Sequence, residues 1–89
     1  MNGSNIIDIS IYPKKPRRKL EIIYFAVEKN QMNMSITDSE GRVVVQKTLS
    51  PESIGLNDLK LNIAKLSSGA YTLTISDGIH RDSKEFKKK

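Results

Sequence analysis

Apolar side chains recur at every second position along most of this chain, and glycine, proline or aspartate marks most of the breaks between runs. Ile7, Ile9 and Ile11 alternate with Asp8 and Ser10. Leu20, Ile22, Tyr24 and Ala26 share one parity, and Met32, Met34 and Ile36 alternate with Asn33, Ser35 and Thr37. Leu59, Leu61 and Ile63 repeat the pattern, as do Tyr71, Leu73 and Ile75 with Thr72 and Thr74 between them. A period of two puts alternate side chains on opposite faces of an extended strand, so one face of each run is built for burial. Val43-Val44-Val45 is stiff and β-branched and reads as a further strand. A last strand runs from His80 to Lys87, with Phe86 as its anchor.

The breaks have their own chemistry. Pro13-Lys14-Lys15-Pro16 cannot continue a ladder, because neither proline has an N–H to give. Glu28-Lys29-Asn30 is a short polar turn. In Asp38-Ser39-Glu40-Gly41 the carboxylate can accept the amide two residues on, and glycine tolerates the positive φ that closes the loop. The strands on either side are therefore predicted to form a hairpin. Asp77-Gly78 is a similar signal. Residues 50–58, with Pro51, Gly55 and Asn57, read as a loop with room for one helical turn, long enough to cross between sheets. Seven short strands without a helical period predict an all-β fold, an antiparallel β-sandwich, with a small closed barrel as the alternative. On the second strand Ile23, Phe25 and Val27 are also apolar, which predicts local burial on its other face.

At 89 residues the chain has room for one core. It has no cysteine, so no disulfide can brace that core. No segment has the run of about 18 apolar residues that a membrane-spanning helix needs. Met1-Asn2-Gly3-Ser4-Asn5 lacks the pattern of a signal peptide, so residues 1–5 read as a linker or cloning remnant and residues 6–89 as the sandwich domain. This favours an excised piece over a whole gene product.

Catalytic and ligand-binding chemistry is poorly represented. His80 is the single histidine and stands beside a turn, where a solvated role is expected rather than that of a general base. Cys/His metal sites are ruled out by count. Asp38, Glu40, Asp77 and Asp82 have oxygens to offer calcium, but their spacing is not that of an EF-hand and ordinary turn chemistry accounts for them. No cofactor is implied, and the chain is not expected to be an enzyme. The formal net charge is +5, much of it in Lys14, Lys15, Arg17, Arg18 and Lys19 and in Lys84, Lys87, Lys88 and Lys89. Such clusters attract anionic partners or simply guard solvated edges. Tyr12, Tyr24 and Tyr71 form no visible base-stacking platform, so specific nucleic-acid binding is not expected. An exposed, positive last strand offers a partner both backbone pairing and charge.

Several blocks together carry a family likeness: Ile9-Ser10-Ile11-Tyr12-Pro13 followed by Pro16; Lys19-Leu20-Glu21-Ile22; Ile36-Thr37-Asp38-Ser39-Glu40-Gly41-Arg42-Val43-Val44; Leu66-Ser67-Ser68-Gly69-Ala70-Tyr71-Thr72-Leu73; and the basic tail Lys84-Glu85-Phe86-Lys87-Lys88-Lys89. In this order the chain resembles the C-terminal sorting domain of the type IX secretion system of Bacteroidetes. It departs from that pattern in having Lys14-Lys15 where the family places asparagine between the prolines. The resemblance implies an immunoglobulin-like sandwich and a non-catalytic signal that directs an attached passenger through the translocon to the cell surface. The implied partners are the translocon, its outer-membrane shuttle protein, and a sortase-like cysteine peptidase that cuts the linker upstream. The route implied is through the periplasm to the surface or beyond. It also implies translocon recognition by Lys84, Phe86, Lys87, Lys88 and Lys89, while Gly41, Gly69 and Tyr71 are read as structural. A stand-alone adhesion or assembly module of the same fold is the alternative.

Overall fold

In a computed structural model, residues 7–27 and 31–89 are described; residues 1–5, read above as a linker, and the turn at Glu28-Lys29-Asn30 lie outside them. The elements are β1 (Ser10–Tyr12), β2 (Lys19–Ala26), β3 (Met32–Asp38), β4 (Val43–Leu49), β5 (Gly55–Asn62), β6 (Gly69–Ser76) and β7 (Arg81–Lys88). They form a three-stranded sheet, β1-β2-β5, and a four-stranded sheet, β4-β3-β6-β7, with every pairing antiparallel. The two sheets stack as an immunoglobulin-like sandwich, which is the expected fold rather than the closed barrel.

The interior follows from the alternation. Leu20, Ile22, Tyr24 and Ala26 of β2 face Met32, Met34 and Ile36 of β3 and Tyr71, Leu73 and Ile75 of β6, all buried. Ile7, Ile9, Leu49, Ile63 and Phe86 complete the core. Burial of each large side chain stabilises the fold by roughly 1.5–3 kcal/mol, which offsets the ordering cost of a short chain with no crosslink.

The β3–β4 hairpin forms as expected, with an irregularity. Ile36 pairs with Val45 and Thr37 with Val43, so Val44 is the extra residue of a bulge. Residues 50–54 do cross between the sheets, but no helical turn forms and β5 starts at Gly55, inside the segment read as a loop. The cause is local. The Asn57 amide donates to the Ser53 and Gly55 carbonyls and accepts the Glu52 N–H, which folds the crossover early. Leu56 and Gly55 are then free to pair with Phe25 and Ala26.

Two expectations are corrected. Ile7 to Ile11 is not one continuous strand: Asp8 has φ +47, and regular pairing begins only at Ser10. Ile7 still bonds β2 through its carbonyl, which accepts the Phe25 N–H at 2.7 Å. Ile23, Phe25 and Val27 are not buried on the second face of β2. Each is 36–37% exposed, because they point away from the sheet opposite. We predict that Ile36→Ala or Leu73→Ala costs about 3 kcal/mol in urea unfolding, and that Val43→Ala costs about 0.5 kcal/mol or less. Equal losses would contradict this assignment of inner and outer faces.

Candidate functional site

β7 is an edge strand, bonded within its sheet only to β6. Its inward parity reads Asp82, Lys84, Phe86 and Lys88, so Phe86 is the only apolar side chain it points into the sandwich. Phe86 is 3% exposed and sits directly opposite Tyr71 in the ladder, with the rings stacked at 5.6 Å between centroids and 20° between planes. Such a pair adds about 1 kcal/mol beyond the area buried. The Tyr71 hydroxyl also donates to the Ser67 carbonyl at 2.7 Å, which holds the turn before β6. One residue thus joins the core, the turn that Gly69 ends and the last strand. Gly69 has φ +151 and Gly41 +84, values that side-chain-bearing residues rarely adopt.

The lysines are placed around this anchor. Lys84 shares the inward parity of Phe86 but is exposed, as a long stem at an open edge permits. Lys87 and Lys89 are exposed on the opposite parity. Lys88 is half-buried, and its ammonium donates to the Lys89 carbonyl at 2.9 Å. Of the five residues expected to take part in recognition, four therefore reach solvent in full or in part, and Phe86 lies beneath them.

The free edge of β7 is less open than its terminal position implies. The Lys87 N–H donates to the Lys14 carbonyl at 3.2 Å, and the Lys89 N–H to that of Pro16 at 3.0 Å. Farther along, the buried Asp82 carboxylate accepts the Ile9 N–H at 2.8 Å through one oxygen and the Ser83 N–H at 2.8 Å through the other. The segment between Ile9 and Pro16 thus lies along β7 and closes that flank of the sandwich. Backbone pairing by a partner finds most of these amides taken, and the side chains become the accessible part of the strand. Asp82 was weighed from sequence only as an oxygen donor to calcium. Its parity with Phe86 was the available signal, since an inward carboxylate must find donors.

The other acidic residues are engaged in turns. Asp38 Oδ1 accepts the Glu40 and Arg42 amides, each at 2.9 Å, and Oδ2 receives Arg42 Nε at 3.1 Å. The Arg42 amide, ahead of those other donors and the Arg42 charge, holds the Asp38 carboxyl below the usual carboxylate range. Asp77 accepts the Ile79 and His80 amides at 2.9 and 2.6 Å, and its second oxygen lies 3.0 Å from His80 Nδ1. His80 is thus half-buried and tied to its turn rather than freely solvated. Among the described residues no group of three or more His, Cys, Asp or Glu side chains is placed to hold a metal ion.

Two variants and one titration test this arrangement. Asp82→Ala leaves the Ile9 amide without its partner and is expected to cost about 2 kcal/mol. Phe86→Ala is expected to cost 3 kcal/mol or more and to release β7 first in amide hydrogen exchange. If β7 exchanges no faster than β6 in that variant, Phe86 is not its anchor. Partial burial is the largest influence on Asp77 and by itself raises its pKa. The bonds from the His80 amide and ring and the Ile79 amide, with the His80 charge, outweigh it and bring Asp77 down to about 2. Folding favours the ionised form, so this stabilisation is complete above the unfolded value of about 3.9 and is lost as pH falls towards about 2. The urea midpoint of Asp77→Asn should therefore fall less steeply between about pH 4 and pH 2 than that of the parent.

A family model described as a secretion system C-terminal sorting domain matches residues 10–89, which takes in β1 through β7 and the basic tail. No curated protein matches the chain.

Proposed function

Since the chain belongs to the family of C-terminal sorting domains of the type IX secretion system, we propose that β7 and the lysines around it are the part of the signal that the translocon reads. Domains of this family direct the protein they are attached to out of the cell, to its surface or the extracellular space. They are generally non-catalytic, and we read this chain as having no reaction of its own. Its task is then to stay folded and to present one surface.

The observation that carries this reading is the construction of the last strand. A buried Phe86 fixes the strand to Tyr71, and Lys84, Lys87 and Lys89 stand in solvent on either side of it. Phe86 acts as a positioning residue, and the lysines supply the contact. Exposed ammonium groups around a fixed strand favour fast encounter with an acidic surface and a strong dependence on salt. In this reading the domain comprises residues 6–89 behind a linker. It passes through the periplasm, engages the translocon and an outer-membrane shuttle protein, and is freed by a sortase-like cysteine peptidase that cuts the linker.

Deleting residues 86–89 is a poor test, because loss of Phe86 also opens the core. The better experiment fuses the domain behind a periplasmic reporter in a host with the type IX machinery and compares it with Lys84→Glu/Lys87→Glu/Lys89→Glu. The parent fusion is expected outside the cell, and export of the triple variant should drop at least tenfold while its thermal transition stays within a few degrees. Equal export of the two fusions would overturn recognition through the tail.

A further inference from the structure

The two basic clusters lie far apart in the sequence and side by side in the fold. The hydrogen bonds from the Lys87 and Lys89 amides to the Lys14 and Pro16 carbonyls clamp the proline-flanked loop onto the end of β7. Between them lies a shallow groove of about 260 Å³ lined by Lys14, Lys15, Ala70, Glu85, Phe86 and Lys87. Its surface is mostly apolar, with Ala70 exposed in it and the buried Phe86 reaching it only at its margin, and its lining includes three lysines against one glutamate. Among the described residues no carboxylate comes within 4.0 Å of the Lys14, Lys15 or Lys87 ammonium. Pro16 is buried beside the strand, so the loop is held at its base while Lys14 and Lys15 are exposed.

We propose that this groove is a composite docking site for an acidic segment of a protein partner, one that alternates carboxylates with apolar side chains. The choice of occupant follows from the lining. Three cations against the single carboxylate of Glu85, none of them ion-paired within 4.0 Å among the described residues, leave the groove net positive and call for negative charge, and a mostly apolar surface calls for side chains that a free phosphate or a sulfated sugar lacks. An extended peptide meets both demands, because its alternate residues point to opposite sides. The site rests on the reading of β7 as the recognition strand. It adds that the surface is shared with the loop at the other end of the chain, where Lys14 and Lys15 replace the asparagine expected from the family pattern.

The test uses the full 89-residue chain and a fluorescent Asp-Leu-Asp-Phe-Asp-Leu peptide as probe, with the Asn-for-Asp peptide, inorganic phosphate and heparin as competitors. Lys14→Glu/Lys15→Glu should weaken peptide binding about tenfold and leave the thermal transition unchanged, because both side chains are exposed. Lys60→Glu, an exposed change on β5 in the other sheet, should have little effect. The same double variant should lower export of the reporter fusion. Unchanged peptide affinity in the double variant, equal binding of the Asn peptide, or displacement by phosphate or heparin at lower concentration than by unlabelled peptide would each overturn the proposal. If export falls for the β7 triple variant while the loop variant exports and binds like the parent, the recognition strand stands and the composite groove fails. If both variants export like the parent, both readings fail.

Discussion

The contact between Tyr71 and Phe86 is the one on which the last strand depends. Every other strand of the four-stranded sheet brings at least two apolar side chains to the core or its margin; β7 brings one. Its remaining inward positions hold a carboxylate and two lysines, which gain little from burial and are retained by hydrogen bonds or reach solvent. A strand so constituted is held by one aromatic stack, its ladder to β6 and the segment laid along its outer edge. That combination leaves the strand ordered, with charge on both sides of it.

The outer edge is where the architecture departs from a simple open sandwich. An unpaired edge strand attracts other chains and is a hazard during folding and transport. Here the protection is intramolecular. Asp82 holds the chain at Ile9, and the carbonyls of Lys14 and Pro16 take the last amides. The prolines serve this arrangement directly: with no N–H of their own they have no ladder to continue, but their segment still offers carbonyls. This flank then presents lysine side chains rather than a free row of backbone donors.

Much of this was legible from residue order. The alternation in β2, β3 and β6 named the inward residues correctly, because a two-residue period leaves one face to choose and apolar side chains choose the buried one. The hairpin at Asp38 and Gly41 followed from carboxylate and glycine chemistry confined to a few residues. The start of β5 was misplaced because the signal, Asn57, acts through three side-chain bonds to neighbouring backbone that leave no trace in periodicity. The outward residues of β2 were expected to be covered because they are apolar, but whether anything covers them depends on the number of layers. The structural role of Asp82 was not legible because its donors, apart from the Ser83 amide, come from Ile9, seventy-three positions earlier.

From residue order alone came the strands, their inward faces and the turn chemistry, since each rests on neighbours a few positions apart, and the likeness to a secretion signal, which rests on the order of such local blocks along the chain. Only the tertiary structure brought the loop at 13–16 against the tail, turned two charge clusters into one surface and placed Phe86 beneath its lysines. The reason is geometric. Local pattern specifies which way a side chain points from its own strand, whereas the company it keeps is set by which strands become neighbours once two sheets close over a common core.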